Sequence, residues 1–350
     1  MAESSTNAST SADASMTSAA TTCSGSSTNF TVESLTGVSG RTYRTAKILQ
    51  DKDRPLTKVY RASDGRNQFV LKEIPHEWQT RLEIYERAGN NCPHLRNLVD
   101  TIPERNLFVF DYLEDNLLRL ARQGVPQSVM KYILKCVLQG LAVLHAKDII
   151  HNDVKANNVM VQISSREPEW NVDKVQLVDL EDAAYAPLPG ALKGAWVGNM
   201  MWRSPEAHAM GPIRKPSDMF SFGLVCLYVM TQVLPFAVDK DSLPEGVEPL
   251  AIVLERQISY FAEADDFDAF LKYLGDDSPW VQIFNVTLNG FIEEGKAREP
   301  FRRWKQGGLN IDQADAFRHL IIELTRFDPD KRLTAEQALE HEWWRDVQVP

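Results

Sequence analysis

The chain has 350 residues, 43% of them hydrophobic, enough to bury a sizeable core in one large or two modest domains. Its formal net charge of -10 disfavours nucleic acid or an anionic membrane as the main partner. Four scattered cysteines, Cys23, Cys92, Cys136 and Cys226, form no CxxC pair and read as reduced thiols of an intracellular protein, cytoplasmic or nuclear.

In chain order, residues 1–40 are rich in Ser, Thr and Ala and poor in large apolar residues, so they read as a disordered tail. They lack the arginines of a transit peptide and the apolar stretch of a secretory signal. From Arg41 to Leu113 come short β-type runs: YRTAKIL (43–49), TKVYRA (57–62), NQFVLKEI (67–74), LVDTI (98–102) and NLFVFDYL (106–113). One helical segment, WQTRLEIYERA (78–88), interrupts them. Residues 114–346 are dominated by helical periods, notably 125–146 and 216–232. The longest apolar run, SFGLVCLYVM (221–230), is shorter than a membrane span. The predicted class is α+β, a small β-rich lobe followed by a larger helical one, with a cleft between them.

Three short stretches carry chemistry. FVLKEI places Lys72 on a strand, where an inward-facing lysine needs a counter-charge, and Glu83 on the following helix can supply it. HNDVKANNV (151–159) puts Asp153, Lys155 and Asn158 on one turn after a long helix. An Asp on a rigid turn can orient a hydroxyl nucleophile, and an Asn five residues on can reach a magnesium ion. KVQLVDLED (174–182) is a strand that delivers Asp179 near its exit, where a ligand for phosphate-bound magnesium belongs.

Taken together these stretches resemble a eukaryotic protein kinase, from about Tyr43 to Trp344. FDYLED (110–115) resembles the hinge, with Phe110 as gatekeeper, and DLE (179–181) the metal-binding triplet. WRSPEA (202–207), SDMFSFG (217–223) and DPDKRLTAEQALEHEWW (328–344) resemble three later segments of the large lobe. The resemblance implies that Asp218 clamps the catalytic loop, that Arg332 pairs with Glu206, and that Glu83, ten residues before Pro93, pairs with Lys72. It further implies ATP and Mg2+ as cofactors and a protein substrate. Adenine would lie between Val59 and Val70 above and Met160 below, bonding the backbone at Asp111 and Leu113. Lys72 would hold the α- and β-phosphates, Lys155 the γ-phosphate, and Asn158 and Asp179 the metal. Lys155, two after Asp153, is the serine/threonine-kinase placement.

The chain departs from the family pattern in several places. The glycine-rich loop has Lys52, Arg54 and Thr57 at its glycine positions, and either of the first two could meet phosphate as a charge. Glu181 stands where the triplet usually ends in Gly, and is expected to face solvent. Asn152 replaces the Arg that a phosphorylated activation segment usually neutralises, and between Asp179 and Ser204 the segment holds no Ser or Thr, only Tyr185. Asn199 stands in place of the Thr that bonds the catalytic Asp. The expected function is a protein serine/threonine kinase. The alternatives are a pseudokinase serving as a scaffold and a small-molecule phosphotransferase. Residues 239–315 are long for the family and read as extra helices, with a docking surface as the rival.

Overall fold

The computed structural model describes residues 31–53, 56–166, 168–195, 197–304 and 314–349. Its first part is a six-stranded antiparallel sheet in the order β1-β2-β3-β4-β6-β5, built from β1 (Ser34–Thr36), β2 (Thr42–Asp53), β3 (Leu56–Ser63), β4 (Gln68–Glu73), β5 (Asp100–Ile102) and β6 (Leu107–Asp111). Side chains alternate across a strand, so each strand feeds two cores. Phe69, Leu71, Leu107 and Val109 join Tyr43, Ala62 and Ile102 on one face. Val70, Phe108 and Phe110 face the other way and meet α1 (Trp78–Ala88) through Ile84, Tyr85 and Ala88.

The sheet begins earlier than the composition suggested. Ser34–Thr36 pairs with β2, Leu35 packs on the outer core, and Ser39 bonds Asp100, so a tail reaching residue 40 does not hold. Its apolar residues Val32, Leu35 and Val38 were averaged into a Ser/Thr-rich window. Residues 1–30, and with them Cys23, lie outside the described part.

Leu113 leads into the second part, where β7 (Asp115–Asn116) and the short α2 (Leu117–Leu120) precede α3 (Gln127–Ala146). By length and composition α3 is apolar enough to cross a membrane, more than its sequence suggested, yet most of it is buried in the protein. Here β8 (Ile149–Ile150), β9 (Val159–Ser165), β10 (Asn171–Leu177) and β11 (Ala184–Tyr185) frame the catalytic loop and the segment after it. The short α4 (Pro205–His208) precedes α5 (Lys215–Thr231), which is buried from Ser217 to Met230 and forms the axis of the lobe.

The long stretch after α5 forms α6 (Pro249–Phe261), α7 (Ala264–Leu274) and α8 (Pro279–Glu293). They pack through Phe261, Phe267, Phe270 and Phe284. The lobe closes with α9 (Ala314–Leu324) and α10 (Ala335–Leu339). Residues 305–313 are not described. Glu206 and Arg332 form a two-pronged ion pair at 2.6 and 2.9 Å, both side chains at 0–1% exposure, which ties α4 to the end of the chain. Cys92, Cys136 and Cys226 are buried and free.

Candidate active site

The cleft between sheet and helices collects most of the residues expected there. The catalytic loop is held from beneath by Asp218 near the start of α5. Its carboxylate accepts from the backbone N–H of His151 (2.7 Å) and of Asn152 (2.9 Å), and bonds His145 Nε2 at 2.9 Å. His151 is fully buried and bridges onward, its Nε2 to the Val178 carbonyl at 3.1 Å, while its Nδ1 accepts from the Asp153 N–H. Asn152 adopts a left-handed conformation (φ 66°), and Gly198 (φ 71°) lies so close that a Cβ there would sit 2.5 Å from the Asn152 carbonyl. The loop and the activation segment are therefore fitted to each other at a place only glycine can occupy.

On this platform Asp153 is mostly buried. Its Oδ2 accepts from Lys155 Nζ at 2.5 Å and Asn158 Nδ2 at 3.0 Å, while Oδ1 has no partner among the described residues. Asn158 also donates to the Asp153 carbonyl at 2.9 Å. Both of these donations come from its amide nitrogen, so its amide oxygen is the group left for a cation. Across the cleft, β10 ends at Leu177 and Asp179 follows in a left-handed conformation (φ 72°). Such a conformation in a non-glycine residue costs free energy and marks a position the surroundings impose. Asn158 and Asp179 offer oxygen donors only, the set a hard divalent cation takes.

The lysine is braced differently from the expectation. Lys72 Nζ lies 2.5 Å from Asp179 Oδ1 and 2.9 Å from Glu181 Oε2. Glu83 is exposed and bonds Gln79 on its own helix. Spacing to Pro93 selected Glu83, but a helix turns about 100° per residue. The buried stripe of α1 runs through Ile84, Tyr85 and Ala88, which leaves Glu83 facing away. Glu181 is likewise no solvent-facing group. Its side chain is 18% exposed, its Oε2 meets Lys72, and Tyr85 Oη donates to its Oε1 at 3.4 Å. Tyr85 Oη also accepts from the Leu180 N–H.

These charges reshape one another. Burial opposes the charge on Lys72, but Glu181 and Asp179 outweigh it and hold its pKa above the ordinary lysine range. Asp179 is buried too, yet Lys72 keeps it well below the usual carboxylate range. Glu181 goes the other way, pushed up to about 8 by burial and by the neighbouring Asp179. Two carboxylates sharing one ammonium in a buried site thus separate into a strong and a weak acid.

Of the residues expected around a nucleobase, Val59 pairs with Lys72, Val70 with Phe110, and Met160 with Asn116 in the strand ladders. Asp111 ends β6, with Leu113 two residues on. Arg96, which drew no attention in the sequence, sends its guanidinium to this wall, where Nη2 donates to the Asp111 carbonyl at 2.7 Å. The available signal was a lone charge in the apolar stretch HLRNLV (94–99).

In place of the glycine-rich loop, Lys52 pairs with Thr57 and Asp53 with Leu56 in the β2–β3 ladder. Arg54 and the side chain of Lys52 lie outside the described part, and with them the expected phosphate contacts. Asn199 does not reach Asp153. Its Oδ1 accepts from Met201 N–H at 3.0 Å and closes its own turn. The segment is secured otherwise: Asn152 Nδ2 donates to the Asp182 carbonyl at 2.8 Å, β11 pairs with β8, and Arg203 donates to the carbonyls of Val197 and Gly198.

Comparison with known proteins points the same way. The family profile described as "Protein kinase domain" matches residues 37–344. The chain is 26% identical to cyclin-dependent kinase E-1 of Arabidopsis thaliana over 84% of its own length and 60% of that protein's. It is 23% identical to DNA damage response protein kinase DUN1 of Saccharomyces cerevisiae over 87% of this chain and 52% of that one. With serine/threonine-protein kinase SSN3 of Phaeosphaeria nodorum it shares 25% identity, over 89% and 72%. The chain thus spans between half and three-fifths of the first two of these relatives.

Proposed function

This chain belongs to the protein kinase family, and from that premise we propose that it transfers the γ-phosphoryl group of a purine nucleoside triphosphate, ATP in the expected case, to a serine or threonine hydroxyl of a protein. The observation that carries the reading is Asp153. One carboxylate oxygen is fixed by Lys155 and Asn158 while the other has no partner among the described residues, which leaves it as an acceptor for a substrate hydroxyl.

The residues divide the work by position. Asp153 orients the attacking hydroxyl and receives its proton. Lys155, already beside that carboxylate, carries positive charge to where the transferred phosphoryl group passes. Lys72 meets the non-transferred phosphates, and its carboxylate partners hold its ammonium in place across the cleft. Asn158 and Asp179 are the groups that would hold magnesium, which supplies charge neutralisation on the phosphate oxygens. Phosphoryl transfer is mostly positioning plus electrostatic stabilisation, so these five groups matter more than the absent lid glycines. The choice of serine or threonine follows the placement of Lys155 and the likeness to serine/threonine-protein kinase SSN3.

The test is transfer of labelled γ-phosphate to a peptide array, with a thermal-shift titration of nucleotide and magnesium beside it. Transfer to Ser or Thr peptides that vanishes in Asp153→Asn supports the reading. A wild-type chain that binds no nucleotide and labels no peptide, itself included, refutes it in favour of a scaffold.

A further inference from the structure

The ladder of β6 decides which backbone groups face the cleft. Tyr112 N–H donates to Gln68 on the β4 side, while Val109 accepts from Val99 N–H on the opposite side. Alternation along a strand therefore points the Asp111 carbonyl, like that of Val109, away from β4. There β5 has already ended, its last rung pairing Asp100 with Val109, so no strand reaches the Asp111 carbonyl. A base seated under Val59 and Val70 would use this carbonyl. It is already engaged by Arg96.

Arg96 is anchored for that role. Its backbone N–H donates to the Leu177 carbonyl at 3.0 Å, beside the Leu95–Leu177 bridge, so its Cα is tied to the strand leading to Asp179. The guanidinium carbon lies 4.9 Å from the centre of the Phe110 ring, and Nε is buried without a partner among the described residues. Burial holds its pKa below the ordinary arginine range, against the opposing pull of nearby Tyr85, Glu181, Asp179 and Asp111. A phosphate placed here would meet those acidic groups as well as the guanidinium. What it offers the pocket is direction: N–H donors in a fixed plane.

A 6-aminopurine presents an N–H donor where a 6-oxopurine presents an acceptor, and a guanidinium pairs with O6 and N7 of the latter. Adenine's amino group would have to share the carbonyl with the Arg96 donor and would meet a donor facing a donor. We propose that Arg96 sets the base preference of this pocket toward a 6-oxopurine, making GTP rather than ATP the favoured phosphoryl donor. The inference rests on the phosphotransfer reading above and amends its donor.

The test uses the full chain and titrates magnesium complexes of ATP, GTP and ITP, the last carrying the 6-oxo group without the 2-amino group. GTP and ITP are expected to bind more tightly than ATP. In Arg96→Val the preference is expected to swing toward ATP by about ten- to hundred-fold, the discrimination carried by one such pairing. Arg96→Lys, which keeps the charge without the planar fork, should fall between them, and the wild-type ratio needs no variant to fold. ATP binding far more tightly than both oxopurines, or a ratio that Arg96→Val leaves unmoved, overturns the inference while the kinase reading stands. If the wild type takes none of the three nucleotides, both fall together.

Discussion

Glu181 meets the Lys72 ammonium at 2.9 Å, while Glu83, on the helix that was expected to supply this partner, is exposed. The brace has moved from the helix to the metal-binding triplet, and Tyr85 occupies the helix face that looks into the cleft. Glu83→Gln should therefore leave kcat/KM for peptide phosphorylation within about twofold of wild type. Glu181→Ala, which removes the brace in either protonation state, should lower it by on the order of tenfold, about 1.4 kcal/mol of barrier. Steady-state kinetics on both variants checks this, and the reverse ranking would restore the helix glutamate to its expected role.

Asp179 and Asp153 should separate binding from chemistry. Asp179→Asn weakens the metal site, so magnesium should no longer increase the thermal shift given by nucleotide. Asp153→Asn should keep that shift and still cut transfer by roughly a thousandfold or more, since only the group that receives the hydroxyl proton is changed. Thermal shift and transfer rate measured on the same preparations give both readouts.

The Glu206–Arg332 pair is sealed from water, with Arg332 also donating to the carbonyls of Arg326, Pro216 and Phe327. Removing one charge strands the other, at a cost of about 3–5 kcal/mol. Glu206→Gln should lower the urea midpoint of unfolding accordingly. A loss below about 1 kcal/mol would mean that the backbone bonds of Arg332 already compensate its charge.

His208 on α4 is completely buried, and burial, with Arg203 adding to it, pulls its pKa from 6.5 to about 3. The folded state thus holds the ring neutral while the unfolded chain takes up a proton below 6.5. Its contribution to stability is complete above that pH and is lost as pH falls toward 3, by at most about 1.4 kcal/mol per unit. Equilibrium unfolding at pH 5, 6 and 7 should show this slope, and His208→Leu should flatten it.

Much of the molecule was legible because its motifs are local. HNDVKANNV, SDMFSFG and DPDKR each carry their chemistry within a few residues, and their order gave the two lobes. Asp218 under the loop and Arg332 against Glu206 sit where the motif order implied. What escaped were decisions made by facing rather than by spacing. Counting from Pro93 counts residues but does not say which side of α1 looks inward. The start of β5 at Asp100, beyond which no rung covers the Asp111 carbonyl that Arg96 takes up, depends on strand register rather than on spacing. Glu181 was read as surplus charge because its partner, Lys72, lies more than a hundred residues earlier.

The bond from the Asn152 amide to the Asp182 carbonyl joins two uncharged groups. A tether of that kind is nearly indifferent to ionic strength, and a phosphatase has nothing there to remove.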